Sequence, residues 1–112
     1  MDISIHYLFS FGNWRINMTK QEIVDQVSES TGLTKVETAA VMNGVMETII
    51  GSLMENRKVE LRGFGTFGVK HRMPKKARNP STGDSVFLPE RHVPTFKPSK
   101  LMRGRVNSAI LK

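Results

Sequence analysis

The sequence predicts an α+β fold: a base of two N-terminal helices, a three-stranded antiparallel sheet extended into a β-ribbon arm, and a short C-terminal helix. Capping boxes at Thr19–Glu22 and Thr34–Glu37 each open a stretch with apolar residues at helical spacing. From Gly65 to Met73 the period changes to two, with Phe67, Val69 and His71 alternating with small or polar residues. Strand character stops at Pro74 and resumes at Val86, Phe87 and Leu88, so the residues between form a ribbon with no core of its own.

Residues 1–17 stand apart from the rest of the chain. Met1 to Phe11 is apolar and aromatic, yet it has no basic leader or small-residue cleavage site and is too short to span a bilayer. It reads either as the product of a start codon upstream of Met18 or as an apolar segment that packs on the body. Residues 18–112 form the folded domain. In the first helix Ile23, Val24 and Val27 share a face, and Gly32 supplies the stop. In the second, Met42, Met46, Ile49 and Leu53 form a core stripe broadened by Val45 and Ile50. Gly44 and Gly51 each cost a helix about 1 kcal/mol relative to Ala, which close approach of another backbone would offset.

The first strand is expected at Lys58–Leu61, with a tight reversal at Arg62-Gly63-Phe64-Gly65. Gly63-Phe64-Gly65-Thr66-Phe67-Gly68 has the spacing of a dinucleotide fingerprint, but strand residues follow the glycines where a helix should open, so no cofactor site is expected. The arm covers about residues 74–92, with its tip at Arg78-Asn79-Pro80-Ser81-Thr82-Gly83. Pro80 sets its own φ and favours an extended Asn79, and Gly83 can take positive φ. A last strand at Val93–Lys97, with Pro94 marking an edge or kink, leads into a helix opened by Pro98 and Ser99. In that helix Leu101, Met102, Val106 and Ile110 can face inward.

Charge divides the chain. Residues 1–56 hold three Lys or Arg against seven Asp or Glu, a net −4, whereas residues 57–112 hold fourteen against three, a net +11. Five of those cations, Lys70, Arg72, Lys75, Lys76 and Arg78, lie on an arm with nothing to bury, which points to a polyanion. An anionic membrane fits less well, because these cations sit in strands and a turn rather than on an amphipathic helix. Without the arm, about 75 residues remain for a core, a size that often needs help from disulfides, metals or a partner chain. With no cysteine in the sequence, a partner chain is the expected remedy.

The motifs Gly63-Phe64-Gly65-Thr66-Phe67, Arg78-Asn79-Pro80-Ser81-Thr82-Gly83 and Val93-Pro94-Thr95-Phe96-Lys97-Pro98-Ser99-Lys100 follow two N-terminal helices. On these residues the chain from Met18 to Lys112 resembles the HU and integration host factor family of bacterial nucleoid proteins. The resemblance implies an intertwined homodimer whose two arms wrap double-stranded DNA in the minor groove. Pro80 would be the wedge between base pairs, with Arg78 and Asn79 beside it and Lys70, Arg72, Lys75 and Lys76 along the arm. Lys20, Lys97, Lys100 and Arg103 match phosphate-contacting body positions, and Phe64, Phe67 and Phe96 match the aromatic dimer core. Ser99 stands where many relatives carry Gly, and the resemblance is silent on residues 1–17.

The function implied is that of a histone-like architectural protein of the cytoplasmic nucleoid, which bends DNA with little sequence preference. The alternative is a sequence-selective bender of the integration host factor type, and bent, nicked or branched DNA and RNA remain open as substrates. An enzyme is not expected. His6, His71 and His92 are far from paired carboxylates, Asp84 and Glu90 lie on the arm, and no nucleophile and base are grouped. Neither a metal nor a cofactor is expected.

Overall fold

The computed structural model describes residues 17–111; the reading of the apolar N-terminal stretch falls outside them. The chain divides into two compact units, Met1–Met46 and Glu47–Lys112.

In the first unit, helix α1 (Lys20–Thr31) starts at an N-cap Thr19 whose side chain accepts from the Glu22 N–H while the Glu22 side chain returns to the Thr19 N–H. Both donors would otherwise be orphans of the first turn, so the reciprocal bonds set the start of the helix. Gly32 ends it in the left-handed region, at φ 80°, and donates its N–H to the Ser28 carbonyl. The device recurs before α2 (Lys35–Met54), where Thr34 accepts from the Glu37 N–H at 3.0 Å and donates its own N–H to the Glu37 carboxylate at 2.9 Å. That bond from the Thr34 backbone, helped by its hydroxyl, holds the Glu37 carboxyl below its ordinary range. The two buried hydroxyls are satisfied locally, Ser28 donating to the Leu33 carbonyl and Thr38 to the Thr34 carbonyl. Val24, 2% exposed, is the one buried apolar side chain among the described residues.

In the second unit, α2 gives way to a turn at Asn56, which takes φ 59°, a conformation asparagine tolerates. Strand β1 (Val59–Leu61) turns through Gly63, at φ 82°, into β2 (Gly65–Arg72), and the Phe64 N–H closes the turn on the Leu61 carbonyl. Then come β3 (Lys75–Arg78), β4 (Ser85–Leu88), β5 (Arg91–Pro98) and α3 (Lys100–Leu111). The main sheet has the antiparallel order β1-β2-β5, and β3 and β4 form a separate two-stranded ribbon. β5 is an edge strand, which is why Pro94 is tolerated opposite Val69. The last strand is longer than its apolar signal, because Arg91 and His92 pair with the equally polar Arg72 and His71.

Two surfaces expected to be covered are open in the single chain. Within the single chain Leu101, Val106 and Ile110 of α3 are exposed, and Met102 alone of the four is half-buried. Among the described residues nothing lies within 4 Å of where a Cβ on Gly44 or Gly51 would sit. The Met42, Met46, Ile49 and Leu53 stripe is half-covered, whereas Val45 and Ile50 beside it are exposed.

Candidate nucleic-acid interface

Strand alternation sorts the β2–β5 hairpin into two faces. On one, Phe67 opposes Phe96, Val69 opposes Pro94 and His71 opposes His92. The Phe67 and Phe96 ring centres lie 4.8 Å apart, and Phe64 adds a third ring 5.5 Å from Phe96. The histidine rings stack at 4.8 Å, and His71 Nε2 contacts the Glu90 carboxylate. This face looks toward the last turns of α2 across a cavity of about 500 Å³ lined by Ile50, Leu53, Met54, Val69, His92 and Pro94.

The opposite face holds Thr66, Gly68, Lys70 and Arg72 of β2 against Lys97, Thr95, Val93 and Arg91 of β5. Lys58 joins them: a groove of about 620 Å³ is lined by Lys58, Lys70 and Lys97 together with Thr66, Gly68 and Thr95. Glu60, opposite Thr66, is the acid on this side of β1. Among the described residues no carboxylate pairs with Lys58, Lys70, Arg72, Arg91 or Lys97. Arg72 directly opposite Arg91 is a like-charge pair, unfavourable in an isolated sheet and relieved by an anion laid across it.

Hydrogen bonding lapses at Met73-Pro74 and Pro89-Glu90, then resumes with Lys75 opposite Leu88. Each strand spends two residues between Arg72–Arg91 and Lys75–Leu88, so nothing is inserted and the alternation carries through. Lys76 and Arg78 therefore continue the parity of Lys70 and Arg72, whereas Lys75 falls on the other side of the ribbon with Ala77, Val86 and Leu88. At the tip, the Asn79 N–H donates to the Asp84 carbonyl at 2.8 Å and the Gly83 N–H to the Asn79 carbonyl at 2.7 Å. The Asn79 side chain accepts from the Ser81 N–H, and Gly83 takes φ 78°. Asn79 thus builds the turn that leaves Pro80 exposed at its end.

At the other end of β5, Ser99 caps α3 by accepting from the Met102 N–H at 3.0 Å, and its own N–H is held by the Phe64 carbonyl. Lys97 precedes this helix start, Lys100 and Arg103 fall in the first turn, and that turn contains no acid. Cations there oppose the helix dipole, so the grouping favours an anion. Lys20 lies in the first unit, where its ammonium donates to the neutral amide oxygen Oδ1 of Asn43 at 2.9 Å. Arg91 and Lys58 were missed by sequence reasoning. Arg91 was findable by extending the strand pairing two residues past Val93; Lys58 has no local signal.

A family model described as bacterial DNA-binding protein matches residues 18–107. The chain belongs to that family. Among curated members, it is 42% identical over 94 residues to integration host factor subunit beta of Photobacterium profundum, covering 83% of this chain and 98% of the relative. It is 43% identical over 91 residues to the DNA-binding protein HRL18 of Rhizobium leguminosarum, covering 81% and 100%. Among solved structures it resembles the HU chain of an Anabaena HU–DNA cocrystal, at TM-score 0.73 and 39% identity over 80% of this chain and 97% of that one. HU from Thermotoga maritima aligns at TM-score 0.58 and 28% identity, over 80% and 98%. The family's α+β architecture of helices and antiparallel strands is the one described above. Among the described residues no helix is long and apolar enough to cross a membrane, and no group of His, Asp and Glu is arranged to hold a metal ion.

Proposed function

We propose that two copies of this chain form an architectural DNA-binding protein that grips double-stranded DNA in its minor groove and bends it, with little preference for sequence. One observation carries the reading: unpaired cations share one face of the hairpin and keep that parity through the ribbon to an exposed proline. Lys58, Lys70, Arg72, Arg91 and Lys97 meet the phosphates of the central segment, with Lys100 and Arg103 extending the contact; Lys20, in the first unit, is a phosphate contact of its own. Lys76 and Arg78 follow the groove. Lys75 faces away from them and serves a neighbouring phosphate. Pro80, presented by the Asn79 turn, enters a base step, and its unstacking cost is offset by the phosphates that the bend brings to the body. The role is architectural rather than catalytic, and its place is the bacterial nucleoid, within the cytoplasm.

Dimerisation is supported by what the single chain leaves uncovered. Phe64 and Phe96 are 48% and 41% exposed, and Ile50, Val106 and Ile110 are open as well. With Val24 as the buried apolar residue among those described, they have too little core to offset their conformational entropy. A second copy laid over Phe64, Phe67 and Phe96 supplies the missing burial. The second reading, a sequence-selective bender, draws support from the 42% identity to an integration host factor subunit, close to the 43% to HRL18.

The test compares bending with affinity. Pro80→Ala should lower end-to-end fluorescence transfer on a short duplex while binding at low salt stays near that of the parent. Arg78→Ala should weaken binding and reduce its salt slope by about one per chain. Equal bending by Pro80→Ala and the parent would sink the wedge. Gel shifts on linear, nicked and branched DNA and on RNA rank the substrates, and a shift that survives competition by unrelated duplex would favour the selective reading.

A further inference from the structure

Phe87 sits near the middle of β4 and is 66% exposed, on a two-stranded ribbon that has no core to hold it. Its register partner is Lys76, and alternation places Arg78 and Ser85 on the same side. The apolar residues on the other side are better covered: Ala77 and Leu88 are half-buried and Val86 is 39% exposed. The ribbon therefore closes its small apolar contact without Phe87. A large ring held in water between two cations has no folding role in the chain, and the cations commit that side to an anionic occupant with apolar surface of its own.

We infer that Phe87 is a groove-contacting residue that lays its ring on the deoxyribose walls of the minor groove and makes the ribbon discriminate DNA from RNA. The inference rests on the reading that the ribbon enters a nucleic-acid groove, and it adds what the ribbon recognises there. Lys76 and Arg78 hold phosphates beside the ring, and between phosphates the wall of a DNA groove is sugar C–H surface. RNA sets a hydroxyl at each C2′ and widens and flattens the minor groove. A hydroxyl pressed against the Phe87 ring loses water without gaining a partner, which is unfavourable. Cations alone bind both duplexes, so the ring gives this ribbon a contact that tells them apart.

The experiment measures binding of the full chain, as Phe87→Ser and Phe87→Leu, to DNA and RNA duplexes of one sequence along a salt series. Thermal melts first establish that the variants fold as the parent does. Phe87→Ser should weaken DNA binding by roughly tenfold at about 200 mM salt, where the counterion contribution is reduced, with the salt slope and the RNA affinity unchanged. Phe87→Leu, which keeps an apolar side chain, should retain most of the preference. DNA affinity of Phe87→Ser within twofold of the parent, or an equal loss on both duplexes, overturns the inference. Bending by the parent that is lost in Pro80→Ala would leave the groove reading standing in either case; a parent that neither binds nor bends DNA removes both.

Discussion

The two faces of the β2–β5 hairpin lie one residue apart along each strand and do opposite things. One carries Phe67, Val69, Pro94 and Phe96, which need cover. The other carries Lys70, Arg72, Arg91 and Lys97, which need an anion. A slip of one residue in either strand would move its cations under the helix and its phenylalanine into water. The lesson is that register is the functional variable in this unit. Gly65 helps to hold it, because a Cβ there would lie 2.5 Å from the Phe96 ring and 2.6 Å from the Lys97 carbonyl oxygen.

The largest expected effect breaks both faces together. Gly65→Ala must displace the Phe96 ring and the β5 backbone, and overpacking of that kind costs about 3 kcal/mol. Urea unfolding followed by circular dichroism should show that loss, accompanied by weaker DNA binding. A melt like the parent's would mean that β5 shifts freely and that Gly65 does not guard the register.

A second test separates the faces. Lys70→Ala combined with Lys97→Ala removes two cations without touching a ring, so stability should stay within about 0.5 kcal/mol of the parent. Affinity should fall at least tenfold at moderate salt and the salt slope by about two per chain. With six or more phosphates neutralised, the parent itself should lose roughly three orders of magnitude between 50 and 200 mM salt. An unchanged slope in the double variant would make these lysines ordinary solvated charges.

The smallest effect belongs to the helical unit, which should be indifferent to the sheet's division of labour. Thr34→Ala removes a cap and should cost about 1 kcal/mol of stability, with DNA affinity of the folded protein unchanged. Glu37 supplies a pH signature. Because its carboxyl is held low by Thr34 in the folded chain, its contribution is present above the ordinary carboxylate range and is lost as pH falls through the folded value. The stability difference between the parent and Glu37→Gln should therefore shrink on acidification. A difference that grows would reverse the assigned sign.

Local interactions were legible in the sequence. Each capping box is a bond between residues three apart, and the turn from Asn79 to Gly83 is closed by its own backbone, so residue types alone mark them. Alternation put Phe67, Val69 and His71 on one face for the same reason. The sequence by itself thus determined the helix starts, the strand faces, the tip that presents Pro80 and the excess of cations on the second half.

Only the tertiary structure decided which residues meet across strands. It set Arg91 against Arg72, drew Lys58 into the groove with Lys70 and Lys97, and left Phe87 in water beside Lys76. It also left Leu101, Val106 and Ile110 uncovered within the single chain, an outcome helical spacing alone does not fix. Pairing depends on register over a separation of twenty or so residues, and no property of one strand specifies its partner. Burial depends on what covers a face, and an apolar stripe has the same spacing whether its cover comes from its own chain or from another.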